Sequence, residues 1–270
     1  MPETLGARCT FGFMAGLARP VLNLLISKSW ERFDRLPESG FIACPNHSTE
    51  IDPLIVGHAM YGAGRLPRYM AKESLFRIPI AGWFLTKTRQ IPVARSSRGA
   101  KESLELAGQI LNEGSVAIVY PEGTLTRDPD MWPMKGRTGA ARLALQTGAP
   151  VVPIAHWGAQ ELLPRYGNRL HVFPRKRVRV VAGNPVDLSD LQGTPMTKAV
   201  LVEATDRIMK AIADLVGELR GETPPATLWD PAAHGQTLSG RNYEQEDAGH
   251  NGQAPEQGRA DPSEQSGEQR

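Results

Sequence analysis

Five consecutive apolar residues, Val116-Ala117-Ile118-Val119-Tyr120, follow a helix-ending glycine, Gly114, and run without interruption into Pro121-Glu122-Gly123-Thr124. A strand with one face in water alternates apolar and polar residues. A continuous run needs cover on both faces, which is the situation of a central strand between two layers of helix. This segment therefore demands helices on either side of a sheet, and the flanking sequence supplies them.

Ser97 to Asn112 carries Ala100, Leu104, Ala107 and Leu111 on one helical face, and Gly114 stands where a left-handed C-cap belongs. A second helix is expected near Arg137 to Gln146, closed by Gly148, and a third is marked by Met196, Val200, Ala204, Ile208, Leu215 and Leu219. Short apolar runs read as strands at 41–44, 68–72, 90–95, 151–155 and 178–181. Between the first two lies a helix through about Met60, ended by Gly62-Ala63-Gly64. Residues 73–79 form a turn into the apolar segment 80–85. The alternation predicts an α/β domain over residues 36–220: a mixed, largely parallel central sheet flanked by helices. In such sheets sites form beyond the carboxyl ends of strands, so the segments following 44, 95 and 120 belong to one rim.

The ends of the chain differ from this body. Residues 221–270 hold nine Asp or Glu against three Arg, a net −6, which leaves +8 on residues 1–220. From Pro231 onward the only large apolar residues are Leu238 and Tyr243, too few to offset the entropy of ordering, so the acidic tail reads as disordered. Residues 1–35 form an N-terminal helical segment: Phe11 to Ile26 is apolar but broken by Arg19 and Pro20, and Lys28, Trp30 and Arg32 follow. That pattern suits either a helix in a membrane interface or one packed on the core. No run reaches the roughly 20 apolar residues of a spanning helix. Two cysteines, Cys9 and Cys44, indicate a reducing compartment, and the chain lacks a secretory signal pattern; the expectation is the cytoplasmic face of a membrane, peripheral or monotopic.

The chemistry concentrates at Asn46-His47-Ser48-Thr49-Glu50-Ile51-Asp52, between prolines 45 and 53. In one unbroken helix His47 and Asp52 would diverge by about 140° and never meet. With Asp52 as N-cap and Pro53 as the first helical residue, His47 sits in the preceding turn and can fold back onto the carboxylate. The pair is then a His-Asp dyad able to take a proton from a hydroxyl. Arg95, with Arg98 after it, offers a fork for phosphate or carboxylate. Glu122-Gly123-Thr124 suits a polyol or the positioning of Arg side chains, and Lys135 and Arg137 flank Gly136 with positive charge. Cys44 reads as inert core. His58, His156, His234 and His250 read as structural or solvated, His156 alone being placed where it could line a pocket.

His47-x-x-x-x-Asp52, Ile91-Pro92-Val93-Ala94-Arg95, Tyr120-Pro121-Glu122-Gly123-Thr124 and Val151-Val152-Pro153-Ile154 stand in an order that resembles the four blocks of the glycerolipid acyltransferases typified by 1-acylglycerol-3-phosphate acyltransferase. The likeness spans about residues 20–215, with Leu125-Thr126-Arg127 where the family continues into Arg-Ser. It implies His47 as catalytic base with Asp52 as its partner. By the same resemblance Arg95, Glu122, Gly123, Thr124, Arg127 and Lys135 bind the acceptor, and Pro153 lies in the acyl-site block. The substrates implied are a lysophospholipid at a phospholipid membrane surface and an acyl thioester, from acyl-CoA or acyl-carrier protein, with no cofactor and no metal. Two rival readings stay open: a metal-dependent hydrolase using His47, Glu50 and Asp52, and a non-catalytic lipid-surface protein. No nucleic-acid motif accompanies the basic body.

Overall fold

The computed structural model describes residues 5–94 and 97–236. Seven strands, β1 (Ile26–Glu31), β2 (Phe41–Pro45), β3 (Pro67–Lys72), β4 (Ile91–Val93), β5 (Val116–Ile118), β6 (Val151–Trp157) and β7 (Lys176–Ala182), alternate with seven helices. These are α1 (Leu5–Leu25), α2 (Asp52–Gly62), α3 (Pro79–Lys87), α4 (Ser97–Asn112), α5 (Gly139–Thr147), α6 (Ala159–Leu162) and α7 (Lys198–Arg220). The strands form one sheet in the order β1-β7-β6-β2-β5-β3-β4. From β6 through β4 every neighbour is parallel; β7 reverses against β6, and β1 follows the direction of β7. The expected mixed, largely parallel sheet is the observed one.

Successive residues of the central strands feed opposite cores, as the period of two requires. Ile42, Cys44 and Ala117 pack with α4, α5 and α7, whereas Phe41, Ala43, Val116 and Ile118 pack with α1 and α2. Gly114 and Gly148 adopt positive φ, +82° and +68°, closing α4 and α5 as expected. Thr197 caps α7, its Oγ1 accepting from Val200 N, and Gly221 ends that helix at φ +71°.

Two expectations need correction. Residues 26–31 are not a tail to a membrane-interface segment but an edge strand, β1, in register with β7; Trp30 lies edge-on to the His58 ring, and Arg32 pairs with Glu218. The 1–35 boundary therefore cuts through the sheet. The acidic tail does not start as disorder: Lys135 N donates to Trp229 O at 2.9 Å, Trp229 stacks on His234, Pro231 is buried, and Pro231–His234 is a short 3-10 turn. Partial burial of that indole, with Pro231 beneath the surface, supplies apolar area that composition alone missed. Residues 237–270 lie outside the described residues. On the N-terminal helix Phe11 and Leu22 are buried against the body, while Phe13, Leu17, Val21 and Leu24 are exposed on the opposite side. Among the described residues no helix is long and apolar enough to cross a membrane.

Candidate active site

β2 delivers the His47 turn at the carboxyl rim of the sheet, and its neighbour β5 delivers Glu122 to the same rim. His47 Nδ1 lies 3.0 Å from Asp52 Oδ2. A carboxylate only accepts, so the ring proton sits on Nδ1 and Nε2 keeps its lone pair. The Asp52 side chain is fully buried and that of His47 is 18% exposed, so the dyad has one wet end. Tyr120 stacks on the imidazole at 4.2 Å between centroids, and burial pushes its phenol well above the usual range, aided by Tyr69 and Asp52.

Asp52 is not the helix N-cap that the sequence suggested. The cap position is Ile51, and Asp52 is the first helical residue; its Oδ2 accepts from Ser48 N at 2.6 Å and Thr49 N at 2.8 Å. Its carboxylate points back into the turn, not along the helix, which is what brings it under His47. One consequence is chemical: the Ser48 and Thr49 amides are committed to Asp52 and do not serve an oxyanion.

The rest of the turn is fixed from two directions. Glu122, 1% exposed, accepts from His47 N through Oε1 at 2.8 Å and from Met134 N through Oε2 at 3.1 Å, while Thr126 N donates to His47 O. Burial raises the Glu122 carboxyl to about 8 against the pull of those two amides. On the other side Asn46 is clamped to His156: His156 N donates to Asn46 Oδ1, Asn46 Nδ2 to His156 O, and His156 Nε2 lies 2.9 Å from Asn46 O. The same Nε2 is 3.5 Å from Asp52 Oδ2, so the carboxylate stands between two histidines. No local pattern marks this role of His156, because its Asn46 partner lies 110 positions away.

The other expected residues divide. Gly123 takes φ +70°, and a Cβ there would stand 2.8 Å from Arg137 Nε, so glycine is required both for the turn and for the guanidinium laid against it. Thr124 is half-buried beside it. Glu122 is buried and holds backbone, so it does not reach out to an acceptor. Arg127 is buried, its loop turned inward where Asp128 Oδ1 accepts from Asp130 N and Trp132 N. Lys135 points to Asp230 at 3.1 Å, away from the dyad. Pro153 is buried in the middle of the sheet against Gly183, whose Cβ would come within 2.8 Å of it. Arg95 lies outside the described residues. Arg137, noted in the sequence only as added charge, is the arginine placed on the Glu122-Gly123-Thr124 turn. Cys44 is buried in β2, where burial pushes its thiol up and away from reactivity. Glu50 is exposed, Asp52 Oδ2 takes the Ser48 and Thr49 amides, and among the described residues no three His, Cys, Asp or Glu gather as a metal site.

The carboxyl rim of the parallel part of the sheet thus bears a histidine held by a buried aspartate. Residues 30–157 match the family model described as Acyltransferase, a span that contains every residue of the dyad and its clamps. The chain is 27% identical to the chloroplastic 1-acyl-sn-glycerol-3-phosphate acyltransferase BAT2 of Brassica napus over 52% of its own length and 39% of that protein. It is also 27% identical to N-acylphosphatidylethanolamine synthase of Arabidopsis thaliana, over 64% of this chain and 68% of that one. The chain thus spans about two fifths of its chloroplast relative. The crystal structure of the 1-acyl-sn-glycerophosphate acyltransferase PlsC from Thermotoga maritima shares the fold at a TM-score of 0.58 with 21% identity, covering 81% of this chain and 83% of that one. Over residues 30–157 the chain is thus similar to the acyltransferase family that its four blocks resemble.

Proposed function

We propose that the protein transfers a fatty acyl group from a thioester, acyl-CoA or acyl-carrier protein, to the hydroxyl of a lysophospholipid, 1-acylglycerol-3-phosphate best, giving phosphatidate. The observation that carries this reading is the 3.0 Å contact of His47 Nδ1 with a fully buried Asp52. His47 Nε2 takes the acceptor hydroxyl proton as its oxygen bonds the thioester carbonyl carbon. The tetrahedral adduct then collapses with C–S cleavage, and the proton passes from the imidazolium to the leaving thiolate. Asp52 stabilises the imidazolium between those steps. Arg137, laid against Gly123, is the described cation suited to the acceptor phosphate.

The acceptor is lipid-borne, and the outer stripe of α1 supports work at the cytoplasmic membrane surface. Phe13, Leu17, Val21 and Leu24 are spaced at 4, 4 and 3, one side of a helix, and are 56–76% exposed. Ile80 and Trp83 of α3, which packs beside α1, are 84% and 59% exposed.

His47→Ala is expected to lower transfer by at least about 10²–10⁴-fold, the range of a lost general base, with an unchanged unfolding midpoint. Residual activity within tenfold of the parent would sink the reading. A second acceptor class is favoured by one relative, the N-acylphosphatidylethanolamine synthase: there the nucleophile is an amine. Thioester release measured over lysophosphatidate, other lysophospholipids and phosphatidylethanolamine separates the two.

A further inference from the structure

The connection from β6 to β7 reverses direction, so unlike a crossover it leaves and re-enters the sheet at one end. That end is the rim holding His47. The geometry confirms the placement at both limbs. Leu163 O accepts from Thr49 Oγ1 at 2.6 Å, and Arg165 donates to Thr126 O and Asp128 O at 2.8 Å each. On the return, Arg175 donates to Asn23 O in the last turn of α1, and His171 N closes the base on Leu162 O.

Residues 168–175 between these staples are all exposed, with Phe173 at 89% and Leu170 and Val172 at about half. A single exposed apolar residue needs no explanation; three within four positions at the tip of a tied loop do. The surrounding charge is one-signed. From Leu162 to Val186 the sequence has no Asp or Glu and six Arg or Lys. Arg165, Arg175 and Arg179 are spent on internal bonds, whereas Arg169, Lys176 and Arg177 make no ion pair among the described residues.

We infer that the 168–175 loop is a second lipid contact that selects an anionic bilayer, with Phe173, Leu170 and Val172 entering the acyl boundary and Arg169 and Arg177 at phosphate level. An acidic protein surface would answer the cations but leave Phe173 in water; a bilayer with anionic headgroups answers both. The loop adjoins Asn23 and hence the Leu24 end of the α1 stripe, so both contacts lie at the rim where a lipid acceptor must arrive. The proposal extends the membrane-surface part of the reading above and rests on it.

Vesicle partition of the full-length His47→Ala protein tests it independently of turnover. Arg169→Gln with Arg177→Gln is expected to weaken binding to phosphatidylglycerol-containing vesicles by roughly 25-fold, at about fivefold per cation, and to leave phosphatidylcholine vesicles unaffected. Phe173→Ser is expected to weaken binding to both by about tenfold. Unchanged partition in these variants overturns the proposal, as does loss of binding to an acidic acyl-carrier protein with vesicle binding intact. If the parent chain, with His47 intact, partitions as expected but never consumes thioester, the transferase reading is refuted and this one stands.

Discussion

The His47-Asp52 pair owes its geometry to residues outside it. Glu122 spends both carboxylate oxygens on backbone amides, one of them that of His47 itself, 75 positions earlier. Glu122→Gln replaces one acceptor by an NH2 group facing an N–H, and an unpaired buried amide costs about 1–3 kcal/mol. Chemical denaturation is expected to show that loss together with reduced transfer. The pH dependence has a definite sign. The carboxyl is raised from its ordinary 4.5 to about 8, so its contribution is fully present below about pH 4.5 and is lost as pH rises through about 8. The stability gap between parent and variant therefore narrows from pH 5 to 9. The His-Asp spacing was legible in the sequence because both residues lie in one turn. The clamps by Glu122 and His156 were not, since a buried carboxylate and a binding carboxylate look alike until their partners, 75 and 110 positions away, are placed.

Among the elements, α2 carries Asp52 at its first residue and His58 near its middle. His58 Nε2 meets Asn23 Oδ1 of α1 at 3.0 Å, and Asn23 also accepts from Lys28 Nζ. Burial, then the charges of Lys28 and Arg19, hold this histidine neutral, lowering it from 6.5 to about 4. A depressed histidine contributes stability that is present above about pH 6.5 and lost as pH falls through about 4. Acidification is thus expected to loosen α1 from α2, read by the fluorescence of Trp30 against the His58 ring, and His58→Gln is expected to flatten that slope. Helices α4, α5 and α7 were readable from period and glycine caps. Strand β1 was not: Ile26-Ser27-Lys28-Ser29-Trp30-Glu31 is an edge strand paired on one side, with Ile26 its one buried residue, so it carries almost no apolar pattern.

At the scale of the whole molecule α1 divides its labour between two faces. Phe11 covers the buried Arg68 guanidinium at 4.8 Å, and Phe11→Ala is expected to cost about 3–5 kcal/mol in unfolding free energy, the range for a buried phenylalanine. Phe13→Ser with Leu17→Ser, on the exposed side, is expected to leave that free energy within about 0.5 kcal/mol while lowering vesicle partition and transfer to bilayer-borne acceptor. The sheet itself was the most legible property, because continuous apolar runs such as Val116–Ile118 admit no other home. The reversal of β7 was not written in any local pattern, and it has a consequence for how such a chain diverges. The His47 turn is embedded between parallel neighbours whose connections cross the sheet, so changing its length would drag a helix with it. The β6–β7 connection is a hairpin on a grand scale: its two ends are pinned and its middle is free to be replaced. A graft of that segment between relatives would exchange the exposed 168–175 surface and leave the His47-Asp52 pair as it was.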